Sequence, residues 1–285
     1  PVCSPLGGSG QAVAFGEPSR VVYAIQAGMD RELVAIDEDD LGIEPPNVQA
    51  SMVEADVLVT AGDVAFYANT DGILGPPCMG ATVAGSKLRG GASLPTQTLW
   101  MTSSDIEIRG ADCGLDGSRH LTAFDAETMG ATSVSGVIRL AYTGKAAPSD
   151  TSRQVCMVSY TTAFTSPECF DTAILGASAV NAIAVVPSGD TVVFATETQV
   201  LKVAWGTKSP AAVVPDLPTV SLLAATDQAF FVARGVSPVQ GSLLRCPHDG
   251  PPEDCRSYGD APVGGITQTA DRVYFTMGSK LCAWD

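Results

Sequence analysis

"AIAVVPSGDTVVFATETQVLKVAWGTKSPAAVVPDL", residues 182–217, reads as four short strands in succession. "AIAVVPSGD" (182–190) is an apolar run of buried-strand length that ends on turn formers, and "TVVFATE" (191–197) follows at once. "QVLKVAWG" (199–206) alternates Val200, Lys202 and Ala204 with Leu201, Val203 and Trp205, and "AAVVPDL" (211–217) completes the unit. Four strands in about 40 residues make one blade of a β-propeller. Elsewhere, windows of helix length are interrupted by Gly, Pro or β-branched runs, so the class is all-β.

Within this unit Asp190 precedes the aromatic Phe194 by four residues, and that spacing recurs along the chain. It appears as "SRVVY" (Ser19, Tyr23), "DVAFY" (Asp63, Tyr67), "TQTLW" (Thr96, Trp100), "DQAFF" (Asp227, Phe231) and "DRVYF" (Asp271, Phe275). The gap between Trp100 and Phe194 admits a further, degenerate copy, for which "VIRLAY" (137–142) and "RQVCMVSY" (153–160) compete. The repeat therefore predicts a seven-bladed β-propeller, one domain over residues 1–285. The Asp carboxylate is expected to accept N–H bonds in its own turn. The aromatic is expected to fill the space between blades. Segments 102–119 and 143–150 read as insertions without a strand period. The innermost strands are read as "QAVAFG", "QASMVEA", "AIAVVP", "VSLLAA" and "GGITQT", a narrow and mostly apolar channel interrupted by Glu54 and Arg139.

The last unit, "GGITQTADRVYFTMGSKLCAWD", holds three strands, so its fourth is expected from the N-terminal "PVCSPLG", which closes the ring. Cys3 and Cys282 then lie on adjacent strands. Cys156–Cys169 and Cys246–Cys255 each enclose a turn-rich segment of hairpin length, leaving Cys78–Cys113 to join neighbouring blades. None of the eight cysteines has metal-site spacing, and a disulfide framework requires an oxidising compartment. An extracellular, cell-surface or periplasmic location is expected, and a chain that begins with Pro and lacks an apolar leader fits a processed protein.

Composition excludes several classes. With 45% hydrophobic residues and a mean hydropathy of +0.19 the chain is globular rather than disordered. Its most apolar stretch, residues 177–186, is too short to span a bilayer as a helix. A net charge of -15, from 16 Lys+Arg against 31 Asp+Glu, opposes nucleic acid and anionic membranes as partners.

"SLLRCPHDGPPEDC" (242–255) and "DRVYFTMGSKLCAWD" (271–285) resemble the repeats of secreted bacterial β-propeller proteins. "LVAIDEDDLG" (33–42) and "LTAFDAETMG" (121–130) are similar to quinoprotein-type blades, without the tryptophan motifs that hold the quinone. The resemblance implies the architecture only, since propellers host many functions.

Chemistry is sparse. His120 and His248 are the only histidines, too few for a three-His metal site, and His248 reads as a solvated turn residue. No nucleophile elbow occurs. Glu38, Asp39, Asp40, Glu253 and Asp254 read as exposed turn carboxylates. No cofactor is expected; calcium is the one cation that "MDRELVAIDEDD" (29–40) and "GADCGLDGS" (110–118) suggest. The candidate recognition surface is the 102–119 segment with its neighbour: Asp105, Arg109, Asp112, Asp116, Arg119 and His120. The expected function is a non-enzymatic structural or protein-interaction propeller, self-assembly into a surface layer or filament included. The alternative is a carbohydrate-active hydrolase or lyase, or a glycan binder, using acidic residues at the ring face.

Overall fold

The computed structural model describes residues 1–285 apart from 80, 84–86, 122–124, 152, 173–178, 215–219, 235–241 and 260. Six four-stranded antiparallel sheets follow one another along the chain, each an up-and-down meander. We number these blades I (9–51), II (88–120), III (129–171), IV (180–214), V (220–258) and VI (263–284). Their innermost strands are Ser9–Gly16, Leu88–Ser93, Met129–Val134, Val180–Val185, Val220–Ala225 and Val263–Gln268. The N-terminal strand Val2–Pro5 pairs with Lys280–Trp284 as the fourth strand of blade VI, Cys3 directly opposite Cys282. Among the described residues no helix is long and apolar enough to cross a membrane.

The expected seven blades are corrected to six. The unit marked by Asp63 and Tyr67 forms only a two-stranded hairpin, Val57–Ala61 with Val64–Ala68, inserted between blades I and II. Beyond it, the isolated bridges Ala68–Leu74 and Ile73–Thr82 stand where a third and fourth strand would be. The physical reason lies in residues 69–87, where Gly72, Gly75, Pro76 and Pro77 break any strand of useful length.

The recurrent spacing marks the second strand of each blade. The degenerate copy is "GVIRL" in blade III, where Gly136 (φ +80) replaces the carboxylate and buried Leu140 the aromatic. "RQVCMVSY" supplies the third strand of that blade, Gln154–Tyr160. The aromatics do fill the space between units. Trp100 packs with Phe66 and Leu74 of the preceding segment, and Phe194 with Val155, Met157 and Phe170 of blade III. Each apolar cluster of this kind spans two neighbouring units, so the core is a succession of interfaces.

Other expectations are corrected too. Segment 102–119 is no insertion: Asp105–Gly110 and Leu115–His120 are the third and fourth strands of blade II. "QASMVEA" lies in and beyond the outermost strand of blade I, Asn47–Ser51, and not beside the channel. Arg139 sits on a second strand and donates to Gly189 O (2.6 Å) and Asp190 Oδ1 (3.0 Å). Glu38 is buried, not exposed. It pairs with Arg20 (2.5 Å) and Arg272 (2.6 Å), and accepts the Tyr274 hydroxyl at 2.5 Å. Thr122–Phe124 of the "LTAFDAETMG" segment and Pro215–Leu217 of "AAVVPDL" lie outside the described residues.

The four disulfides pair as the repeat predicts: Cys3–Cys282, Cys78–Cys113, Cys156–Cys169 and Cys246–Cys255. Four such bonds point to an oxidising compartment.

Candidate functional site

The innermost strands run in one direction and end together, and their C-terminal ends surround a recess of about 250 Å³. Blade I contributes Phe15 and Glu17, the hairpin Thr60, blade II Ser93, blade III Ser133, and blade VI Thr269. Below this mouth the channel narrows to about 140 Å³, lined largely by small and apolar groups such as Val59, Ala92, Ala131, Ala184 and Ala224. Small residues belong here because neighbouring inner strands approach closely at the axis.

The rim is held by hydrogen bonds that cross from one unit to the next. Thr60 Oγ1 donates to Phe15 O (2.5 Å), while Thr60 N donates to Ser93 Oγ (2.9 Å), so one threonine joins blade I, the hairpin and blade II. Gln268 has the same role elsewhere: its amide donates to Val185 O (2.7 Å) and accepts from Ala225 N (2.6 Å), bridging blades IV, V and VI.

The recurrent Asp belongs to this system as well. Asp63 accepts both the N–H and the hydroxyl of Ser19 (2.8 Å each), Asp190 accepts Arg139, and Asp227 accepts Ser188 N (2.8 Å). Each of these carboxylates reaches back to the preceding unit, not into its own turn. Asp271 alone of the four keeps a local partner, the Thr269 hydroxyl at 3.0 Å.

Chemically, the mouth presents hydroxyls, backbone groups and one carboxylate. Among the described residues, Glu17 is the only titratable side chain in its lining. Phe15 in the lining lies flat on Tyr274 at 4.7 Å and is 8% exposed. Among the described residues no three His, Cys, Asp or Glu side chains converge as a metal site would require.

The six residues expected to form a recognition surface do not assemble around the mouth. Asp105 and His120 pair at 3.0 Å at the far end of blade II, His120 being largely exposed. Arg109 donates to Glu107 Oε2 (2.8 Å), Cys113 O (3.1 Å) and Thr82 O (2.9 Å), tying blade II to the 69–87 segment. Asp112 accepts Gly114 N (3.0 Å) and Asp116 accepts Gln97 Nε2 (2.6 Å). Arg119 donates to Thr165 O of blade III and lies over the Phe164 ring. Arg109 and Arg119 thus brace blade II against its neighbours, while the other four side chains bond within the blade.

His248 is half-buried, not a solvated turn residue. Its Nε2 lies 2.8 Å from Thr226 O, and Lys202 donates to His248 O (2.8 Å) and Asp249 Oδ1 (2.9 Å). The Lys202 ammonium holds the Asp249 carboxyl below the usual carboxylate range. A second recess on the mouth face, about 640 Å³, lies between blades V and VI and is lined by Arg245, Glu253, Asp254, Arg256, Trp284 and Asp285.

Sequence reasoning missed Thr60, Ser93 and Gln268. Their signal is a hydroxyl or amide at the C-terminal end of an otherwise apolar inner strand, as in "VLVTAGD", "GGASLPT" and "GGITQTAD".

Comparison with solved structures agrees with this architecture. The chain is similar to the crystal structure of the WD40 β-propeller domain of Doa1, with a TM-score of 0.67 over 100% of this chain and 95% of that one. The fold is a β-propeller. At 7% identity the likeness extends to the fold alone. No protein-family model and no curated protein sequence matches.

Proposed function

We propose that this propeller is a non-enzymatic interaction module of an extracellular, cell-surface or periplasmic compartment, and that it seats a segment of a partner protein over the axial mouth. The observation that carries this reading is the mouth itself. Six units converge on a recess of about 250 Å³ with a rigid, hydrogen-bonded rim and one carboxylate. That is below the ~300–1,000 Å³ of a typical small-molecule site and suits one or two inserted side chains. The disulfides support the compartment. A partner identical to this chain, contacting the mouth with its opposite face, would give the head-to-tail filament.

A photo-crosslinking residue placed at Ser133 or Thr269, in protein returned to its native secreted milieu, tests the reading. A discrete adduct from both positions, absent from a position on a blade's outer edge, is expected. Equal labelling from every position would remove the mouth as the docking site. Native mass by light scattering separates self-assembly from a foreign partner.

A second reading rests on the larger recess. Trp284 beside two guanidinium and three carboxylate groups is the composition of a glycan subsite. Quenching of tryptophan fluorescence by oligosaccharides, lost in Trp284→Ala, would favour it over protein docking.

A further inference from the structure

Met29 and Met52 stand on the face opposite the mouth, 99% and 77% exposed, in a molecule whose large apolar side chains are mostly buried. Met29 lies in blade I and Met52 directly follows its last strand. Met29 lies in the turn after Val21–Ala27, which Gly28 N closes by donating to Asp30 O at 3.1 Å, and nothing in that turn requires an apolar side chain. Met52 follows the outermost strand with φ +57, a conformation that glycine, asparagine or aspartate adopts far more readily. The backbone is held there by Val53 N donating to Arg31 O at 3.0 Å. Two long apolar side chains are thus presented to water where the fold alone would favour small or polar ones.

They share one shallow recess of about 490 Å³ with Asp30, Arg31, Glu54 and Asp56. Among the described residues Arg31 is its only basic residue, and its guanidinium donates to Ala55 O (2.9 Å) and Asp56 Oδ1 (3.3 Å). Asp30 and Glu54 have no ion-pair partner among the described residues. The recess therefore combines adaptable thioethers with an acidic rim. Methionine side chains re-pack around varied apolar groups, and an unpaired acidic rim favours a cationic partner.

We propose that this recess is a second docking site, separate from the mouth, for a basic partner segment in which Lys or Arg flank large apolar side chains. The thioethers would take the apolar groups and Asp30 and Glu54 the cations. The proposal does not depend on what the mouth binds.

The test uses the whole disulfide-bonded protein and a fluorescent dodecapeptide of Lys and Leu, with its Glu and Leu counterpart as control. With methionine methyl groups labelled, the basic peptide is expected to shift the Met29 and Met52 resonances and leave Met79, exposed elsewhere, unmoved. Met29→Ser combined with Met52→Gly is expected to weaken binding roughly tenfold or more, whereas Met79→Ser binds as the parent. The double variant keeps the fold, because glycine suits the positive φ at 52. Three results would overturn the proposal. One is equal binding by the double variant, which assigns the affinity to diffuse negative charge. Another is no binding of the basic peptide. The last is self-association without peptide that the double variant abolishes, which makes a second copy of the chain the occupant.

Discussion

A Cβ placed on Gly264 would lie 2.0 Å from the carbonyl oxygen of Gly10, and one on Gly265 would lie 2.6 Å from Cα of Ala12. These contacts are backbone to backbone, between the inner strands of blades VI and I, so no side-chain rotation relieves them. Gly264→Ala is therefore expected to force the two strands apart and to cost about 1–3 kcal/mol, read as a lower urea midpoint. Met52 is the opposite case. Its left-handed backbone costs ~1–2 kcal/mol with a side chain, part of which the greater freedom of unfolded glycine offsets. Met52→Gly should raise stability by about 0.5–1 kcal/mol, and unchanged or lower stability would contradict a strained position. Glu38, by contrast, is a buried charge with two cationic partners, one of which is 61% exposed. Glu38→Gln is expected to cost about 1–3 kcal/mol, less than a fully enclosed pair because water screens Arg20.

At the scale of elements, the buried strands were legible in the sequence and the polar ones were not. "TVVFATE" and "DRVYF" announce second strands because both faces meet neighbouring blades. "LDGSRH" does not, because Leu115–His120 is an edge strand whose residues are mostly exposed, so no period of two is imposed on it. "GVIRL" hid its blade by lacking both marker residues, and "NTDGILGPPC" (69–78) carried the marker ahead of it without the strands to follow. The candidate site was less legible still. Its rim is made of bonds between residues far apart in sequence, such as Gln268 to Val185, and spacing within one unit carries no information about them.

The contact between blades I and VI also yields a pH prediction. Burial, then the hydrogen bond to Glu38, raises the Tyr274 pKa well above the ordinary tyrosine value, and burial raises Tyr23 and Tyr67 in the same direction. A raised folded-state pKa means that the unfolded chain ionises first. The stabilisation is complete below about pH 10 and declines as pH rises beyond it. Urea midpoints should fall between about pH 10 and 11, and fall less steeply in Tyr274→Phe. Equal slopes would remove Tyr274 as the cause.

Over the whole molecule, the four disulfides differ most in how much chain each one constrains. Cys3–Cys282 joins residues 279 apart, whereas Cys246–Cys255 joins residues 9 apart and Cys156–Cys169 residues 13 apart. All three link paired strands or a short hairpin, so the folded geometry at each bond is local. The difference lies in the unfolded state. In the chain-entropy description the constraint grows with the logarithm of loop length, which gives about 5–6 kcal/mol for the terminal bond and about 3 kcal/mol for each hairpin bond. Replacing Cys3 and Cys282 by Ser should therefore lower stability by roughly 2–3 kcal/mol more than replacing Cys246 and Cys255, measured by urea unfolding of the oxidised proteins. The same substitution leaves the Arg20–Glu38–Arg272 network and the Phe15–Tyr274 stack in place, so the contact between blades I and VI should persist in the native state. Loss of all cooperative unfolding in that variant would show instead that the disulfide, rather than side-chain packing, holds the first blade against the last.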